Sequence, residues 1–479
     1  MEKLGGENVG QEVSPSKVAL ASSIGATIEW YDFFIFGTAA GLVFNQLFFT
    51  SLDPITGTLV AYLTFAVGFV ARPVGSVIFG HYGDKIGRKT MLILTLFIMG
   101  VATFLVGLLP TYNSIGIWAP ILLVVLRIFQ GIGIGGEYGG AVLMAVEYAP
   151  EGRRGFYGSW PQVGVPAGLL LGTGAFGLVS LLTDEQFFAW GWRVVFLMSI
   201  ILVGIGLYIR LQILETPAFR RVREAQEEAR VPFTELLRTQ PKELVLGMGI
   251  RWIEGLVFNA YGVFILSYAT SQLELTRTTA LVGVAIASAF GVVLVPIYGL
   301  LSDRVGRRVV YGTGVALFGL FAFPSFLLID TRQPILLWVS IVVALGLIYP
   351  AIYAPLAAFW SELFATRVRY TGVGTVYQFS GIFASGLTPT IATALLGFAG
   401  GEPWLFVGYM VIVAVISLAA AYFSPETFRK DITQTMAVVQ RPETATERAS
   451  ARKPGVSQRR GETDDSRKHG GDLGPREGL

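Results

Sequence analysis

Asp32 lies about 14 residues into one apolar run and Arg127 about ten residues into another, roughly 20 Å and 15 Å deep at the rise of a helix. A bilayer's hydrocarbon core is ~30 Å thick, so both fall near its middle. Ions placed there are costly, and they normally face a cavity and pair. A carboxylate at that depth can take up and release a proton, and a guanidinium can answer it or grip an anion. We therefore expect Asp32 to be a proton site and Arg127 its partner or the anchor of an anionic substrate. The bland alternative is a static buried ion pair that specifies helix packing.

A second layer of charge lies beside the first. Glu29 is one turn from Asp32 on a similar helix face, and Arg72 and Glu137 fall at comparable depth, roughly 12 to 15 Å from the nearer surface. Such a cluster suits a proton relay or an inner gate, or three groups that neutralise one another. Further along the chain, Arg251 and Glu254 stand one turn apart with Asn259 beyond them. A guanidinium there could hold a carboxylate with two parallel hydrogen bonds, or be satisfied by Glu254. Gln130, Tyr138, Gln162, Tyr377 and Gln378 are candidate readers of hydroxyl or carboxyl groups; each type is also common in helix packing. His81 falls in a loop and His469 in the tail, so no intramembrane histidine competes for the proton role.

The elements that must position these groups are membrane helices. The 479 residues are 53% hydrophobic and only 14% charged, against roughly 25% charged in soluble domains, and the mean hydropathy is +0.60. About twelve stretches reach the ~20 residues that cross a bilayer, and helices satisfy their own backbone there. Their expected spans are 18–48, 56–80, 90–110, 117–146, 156–181, 192–212, 243–270, 278–301, 309–329, 334–361, 371–397 and 403–424. Lys85, Arg88, Lys89, Arg153, Arg154, Arg304, Arg307, Arg308, Arg367 and Arg369 all fall in alternate loops, and the opposite loops hold mainly Arg277 and Arg332. By the positive-inside rule both termini are expected in the cytoplasm. No cleavable leader is legible at the start, so the first membrane helix is expected to act as the targeting signal.

One ten-residue pattern occurs twice, from Gly80 through Asp84 to Arg88 and Lys89, and from Gly299 through Asp303 to Arg307 and Arg308, displaced by 219 residues (303 less 84). A second echo pairs Glu147, Arg153 and Arg154 with Glu362, Arg367 and Arg369, displaced by 215 (362 less 147). Two six-helix halves with a site between them is a transporter plan. Asp84 and Asp303 are placed to cap a following helix start or meet its dipole, and Arg88 and Arg307 to reach carboxylates on the neighbouring helix pair. Arg72, Glu147, Arg154, Glu362 and Arg369 join them as gating candidates. Positive charge that only sets topology is the simpler reading of the same residues.

The doubled loop, with Arg127, Gln130, Gly131 and Gly133 in the fourth span, resembles the major facilitator superfamily over nearly all of residues 18–425. More narrowly, Glu29-Trp30-Tyr31-Asp32-Phe33, Arg72-Pro73, Gly135-Gly136-Glu137, Gly191-Trp192-Arg193 and Arg367-Val368-Arg369-Tyr370 resemble its metabolite:proton symporter family, and the likeness runs toward that family's bacterial shikimate permeases. The resemblance implies a proton-coupled importer of a small organic acid, shikimate-like first and other carboxylates or betaines next. It also implies that the doubled loop latches the outward-open state.

The expected fold is therefore an all-α integral membrane protein of twelve helices in two pseudo-symmetric six-helix bundles. Its parts are a cytoplasmic segment at 1–17, bundles at 18–212 and 243–426, a charged linker at 213–242 and a disordered cytoplasmic tail at 427–479, whose composition cannot bury enough surface to fold alone. The bacterial inner membrane is the expected location, and the lipid bilayer and a small organic acid the partners of a monomer. No nucleic acid, metal or cofactor is expected beyond the coupling proton. Without cysteine, disulfide and thiol chemistry are excluded. The lack of a Ser/His/Asp set, a metal-ligand cluster and a phosphate loop argues against an enzyme. A uniporter or exchanger is the main rival reading, and a non-transporting nutrient sensor a remote one.

Overall fold

The computed structural model describes residues 15–86, 88–135, 138–147, 149–212, 232–365 and 368–430, and these are helical with short connections and no strand. Twelve helices fit the expected plan. The first, α1, runs Pro15–Ala39 and continues through a π-turn at Ala40–Phe44 into Asn45–Leu47. Then come α2 (Pro54–Ile86), α3 (Arg88–Leu108), α4 (Trp118–Gly135 and Tyr138–Glu147), α5 (Arg154–Val179) and α6 (Asp184–Tyr208). The second half holds α7 (Pro241–Ser271), α8 (Arg277–Val305), α9 (Arg307–Ile329), α10 (Pro334–Leu363), α11 (Arg369–Phe398) and α12 (Trp404–Phe423). Ten of these are long and apolar enough to cross a membrane on length and composition alone. The other two are α1, which spends a turn on Glu29 and Asp32, and α3, whose apolar part is Ile93–Leu108.

The sequence expectation misplaces two boundaries: α2 runs on to Ile86, past the expected 80, and the start of α6 lies earlier than expected. α6 begins at Asp184, not at 192, because Thr183 caps it by accepting from the Gln186 amide and Asp184 and Glu185 sit in its first turn. Carboxylates there favour the helix start, although in sequence they read as loop. Residues 213–231 of the expected linker and 431–479 of the expected tail lie outside the described residues. The end of the linker forms a short helix, Pro232–Thr239.

Duplication is visible in the backbone. α3 and α9 start 219 residues apart (307 less 88) and α5 and α11 215 apart (369 less 154), matching the two motif displacements. α1 and α7 carry π-turns at Ala40–Phe44 and Ala260–Phe264, 220 apart (260 less 40). Within the first half α5 packs along α1, and it packs as extensively along α8 of the second half; α2 meets α11 on the other side. Small residues permit the α5–α8 approach: a Cβ at Gly299 would lie 2.6 Å from the Gly155 carbonyl and from Ser159 Oγ. Between these two contacts a space remains, walled by α1 and α7.

Candidate functional site

That space is a tight cavity of about 10 Å³, room for about one water. The first half contributes Trp30, Phe34, Phe69 and Val165, and the second Arg251, Glu254, Phe258, Asn259, Tyr377 and Ser385. Its walls are thus aromatic, with a few convergent polar groups, as small-molecule sites usually are. Arg251 forms an ion pair with Glu254 one turn along α7. The guanidinium lies 4.5 Å from the Tyr377 ring centre and donates a long 3.4 Å hydrogen bond from Nη2 to Ser385 Oγ. Glu254 Oε1 accepts from the Tyr349 hydroxyl at 2.8 Å. Asn259 donates to the Gly255 carbonyl at 2.8 Å and leaves its Oδ1 without a donor.

Arg72 approaches from α2. It is fully buried, with its Cζ 4.1 Å from the Phe69 ring centre, 4.2 Å from Phe33 and 5.2 Å from Trp30. None of its three nitrogens donates a hydrogen bond among the described residues. Glu29, Tyr377 and Arg251 are within electrostatic range, and the rings of Trp30 and Phe69 that it packs against belong to the cavity wall. The aromatic faces offset part of the cost of burying this cation.

Asp32 and Arg127 are both completely buried, yet they are not an ion pair in this conformation. Arg127 donates from Nε and Nη2 to the Phe65 carbonyl, each at 3.4 Å, and from Nη1 to Gln130 Oε1 at 3.1 Å. Phe33, Phe36 and Phe65 surround it, with ring centres 4.1, 4.3 and 4.9 Å from Cζ. Those rings separate it from the cavity, whose lining does not include it. Neither Asp32 oxygen makes a well-formed hydrogen bond; Thr103 and Glu29 are its polar neighbours. The Thr103 hydroxyl donates to the Met99 carbonyl at 2.9 Å and accepts from Gln130 Nε2 at 2.8 Å. Gln130 thus joins Arg127 to Thr103, and Thr103 stands beside Asp32. Direct pairing, expected from depth alone, gives way because both neighbouring aromatic clusters and the Phe65 carbonyl compete for the guanidinium.

The remaining candidates divide. Gln378 donates to the Gly135 carbonyl at 2.8 Å, tying α11 to α4 across the halves and away from the cavity lining. Gln162 is buried with neither amide atom hydrogen-bonded, also off the lining. Tyr377 and Asn259 stand in the wall. Glu137 lies outside the described residues, and the side chains of Tyr138, Asp84 and Arg88 are not described. Sequence reading missed the aromatic wall of Trp30, Phe34, Phe69 and Phe258, and it missed Thr103, Tyr349 and Ser385. Trp30 alone carried a signal, its place between Glu29 and Asp32; the others are ordinary residues of apolar helices.

Contacts join the two halves on both sides of the cavity. At the end bearing the duplicated motif, Asp303 caps a helix as expected, but it is α5 of the other half and not the following α9: its Oδ1 accepts from the Gly155 amide at 2.7 Å and Oδ2 from Phe156 at 2.8 Å. The start of α9 is capped instead by Glu426, which accepts from the Arg307 and Arg308 amides at 3.0 Å each. Gly306, between them at φ +109°, turns the chain where a Cβ would press on Glu426 Oε2 at 2.7 Å. Arg307 bridges Asp303 at 2.8 Å and Glu362 at 3.1 Å, and Glu362 also accepts from the Thr427 hydroxyl at 2.7 Å. Arg369 meets Glu147 at 3.4 Å across the halves, and Arg154 donates to the Lys430 carbonyl at 2.7 Å. Burial, with Arg369 nearby, holds the Lys430 ammonium below the usual lysine range. At the opposite end the Tyr62 hydroxyl reaches Ser267 Oγ at 2.9 Å and the Val263 carbonyl at 3.2 Å, in the π-turn region of α7, and Arg277 pairs with Asp184 at 2.6 Å.

A central cavity between two duplicated six-helix halves that meet on both sides of it is the architecture of an alternating-access carrier. The chain belongs to the major facilitator superfamily of membrane transporters: residues 18–244 match the family described as Sugar (and other) transporter and residues 247–455 the Major Facilitator Superfamily. It is 40% identical over 419 residues to the shikimate transporter of Escherichia coli (strain K12), covering 86% of this chain and 95% of that one. It is 42% identical over 421 residues to the inner membrane metabolite transport protein YhjE of the same strain, covering 85% and 95%, and 35% identical over 429 residues to that strain's proline/betaine transporter, covering 87% and 84%. Among solved structures, a D-xylose-proton symporter superposes with a TM-score of 0.66 over 88% of this chain and 98% of that one, at 17% identity, a likeness of fold. The protein is a multi-pass metabolite transporter and not an enzyme.

Proposed function

We propose that this transporter imports a small organic anion, shikimate-like in the first instance, together with protons across a bacterial inner membrane. The observation that carries the reading is the Arg251 guanidinium in the wall of an aromatic-lined cavity, with a second guanidinium, Arg72, buried against the Trp30 and Phe69 rings of that wall. Planar guanidinium forks suit a carboxylate, and flat aromatic faces suit a ring. The relatives named for shikimate and for proline/betaine support a carboxylate-bearing substrate.

Asp32 is the coupling carboxylate in this reading, and Thr103 and Gln130 transmit its protonation to Arg127. A proton on Asp32 lets it donate toward Thr103, which turns the Gln130 amide and loosens Arg127 from the Phe65 carbonyl. Only the loaded or the empty carrier then exchanges between its open forms. Glu29 beside Arg72 passes protons between Asp32 and the motif end, which faces the cytoplasm together with both termini. The chain works as a monomer in the bilayer, with no cofactor beyond the proton.

The test is uptake into proteoliposomes of radiolabelled shikimate and a panel of organic acids and betaines, with and without an inward proton gradient. The expected result is accumulation above equilibrium that collapses with a protonophore. Equilibration that ignores the gradient replaces symport with uniport or exchange, and uptake of betaines alone moves the substrate class.

A further inference from the structure

We infer that Glu254 is a built-in competitor for the substrate: its carboxylate occupies Arg251 in the empty carrier and is displaced when an anionic substrate arrives. The inference rests on the anion-import reading above and assigns to Glu254 the link between substrate binding and a second protonation.

The geometry divides the Glu254 carboxylate between two partners. Oε1 accepts from the Tyr349 hydroxyl of α10 at 2.8 Å, while the other oxygen faces Arg251. Both residues of the pair are buried, Arg251 at 2% and Glu254 at 3% exposure, and both line the cavity, so the pair is part of the binding wall and not a strut behind it. Beyond Glu254, Arg251 has among the described residues the long contact to Ser385 and the face of Tyr377. Arg72 lies against the Trp30 and Phe69 rings of the wall and not in the lining itself. An entering carboxylate therefore meets one cation in the wall, and an internal carboxylate already holds it.

A guanidinium fork accepts one carboxylate in bidentate fashion. A substrate anion bound to Arg251 must push Glu254 off it, and a buried carboxylate deprived of its cation is strongly disfavoured. Taking a proton relieves that cost. The neutral acid keeps its Tyr349 hydrogen bond and leaves Arg251 to the substrate. Anion binding and proton uptake at Glu254 thus favour one another, by an amount equal in both directions. The charged and titratable groups facing this exchange are Arg251 on α7 itself, Tyr349 on α10, Tyr377 on α11, Arg72 on α2 and Glu29 on α1. Glu29 lies beside Arg72 and not in the lining. Glu254 is thus the carboxylate of the wall, and anion binding strengthens as pH falls because its protonated form no longer competes.

The experiment is equilibrium binding of radiolabelled shikimate, and of benzoate as a plain ring carboxylate, to the purified full chain at mildly acidic and mildly alkaline pH. Glu254→Gln keeps the volume and the Tyr349 contact without the charge. At alkaline pH it is expected to bind both acids about tenfold tighter than the parent, with the pH dependence of affinity flattened. Tyr349→Phe weakens the hold on Glu254 and should move alkaline affinity in the same direction by a smaller factor, which keeps the test decisive if Glu254→Gln does not fold. A gain for benzoate with no shikimate binding supports the role of Glu254 and removes shikimate as the substrate. Unchanged affinity and an unchanged pH dependence in both variants overturn the inference. So does failure of both acids to bind both variants at every pH.

Discussion

Helices α1 and α7 hold equivalent places in the two halves and carry opposite charge there. Their π-turns are 220 residues apart (260 less 40) and, by the motif displacement of 219, Asp32 of α1 falls on Arg251 of α7 (251 less 32). The α1 group is a weak acid with no well-formed hydrogen bond, walled away from the cavity lining; the α7 group is a permanent cation in the lining with a carboxylate upon it. Duplication copied the scaffold, and substitution at one register position made one half able to change charge and the other able to hold an anion. In the proposed mechanism that asymmetry separates coupling from binding, and it can be broken one side at a time.

The largest effect is expected on the α1 side. Asp32→Asn removes the titrating group without changing its size, so accumulation, about tenfold per pH unit for one coupled proton, falls to equilibrium while counterflow exchange survives. Retained accumulation in that variant removes Asp32 from coupling. The pH dependence of shikimate affinity should persist in it, because Glu254 is intact.

Next comes a pair of identical changes at two buried arginines. Arg251→Lys keeps the charge but loses the fork, and loss of a charge-assisted hydrogen bond of about 1.5–3 kcal/mol should raise the shikimate Kd at least tenfold. Arg127→Lys should slow transport and leave that Kd within about twofold, because three phenylalanine rings keep it off the cavity. Equal losses of affinity would mean that Arg127 reaches the substrate after all.

The two ends of the cavity offer a finer contrast. One is held by buried charge, Asp303 with Arg307 and Glu362, and the other by the Tyr62 hydroxyl and an exposed ion pair. Breaking a buried pair costs about 3–5 kcal/mol, whereas one neutral hydrogen bond contributes about 1 kcal/mol. The parent has no cysteine, so a single Val165→Cys in the cavity wall reports access cleanly. Asp303→Asn should raise its labelling from the motif end strongly, and Tyr62→Phe should raise it from the opposite end only a few-fold. The reverse order would place the stronger latch at the Tyr62 end.

The fold was legible because membranes restrict the choice. Apolar runs of the right length have one stable form in lipid, and the repeats at Asp84 and Asp303 announced the duplication. Charged residues at depth pointed to the site for the same reason, since few are tolerated there. What was not legible was pairing. Asp32 and Arg127 read as partners by depth, yet Phe65 and Gln130 hold the arginine and Thr103 stands beside the acid. Likewise Asp303 read as the cap of the helix that follows it, and it caps one 148 residues earlier.

The sequence by itself determined the twelve-helix duplicated scaffold, the short set of buried charges and the two loops that carry the motif. Each of those follows from hydrophobicity and spacing along one chain. Only the tertiary structure decided which charges share a space: that Arg251 stands in the cavity wall while Arg72 and Arg127 are packed against aromatic rings outside the lining, that Glu254 sits on Arg251, and that α5 receives Asp303. Contacts between helices far apart in sequence depend on the angle and register at which two halves pack, and aromatic side chains that look alike in an apolar run become walls or fillers according to the face they turn to that interface.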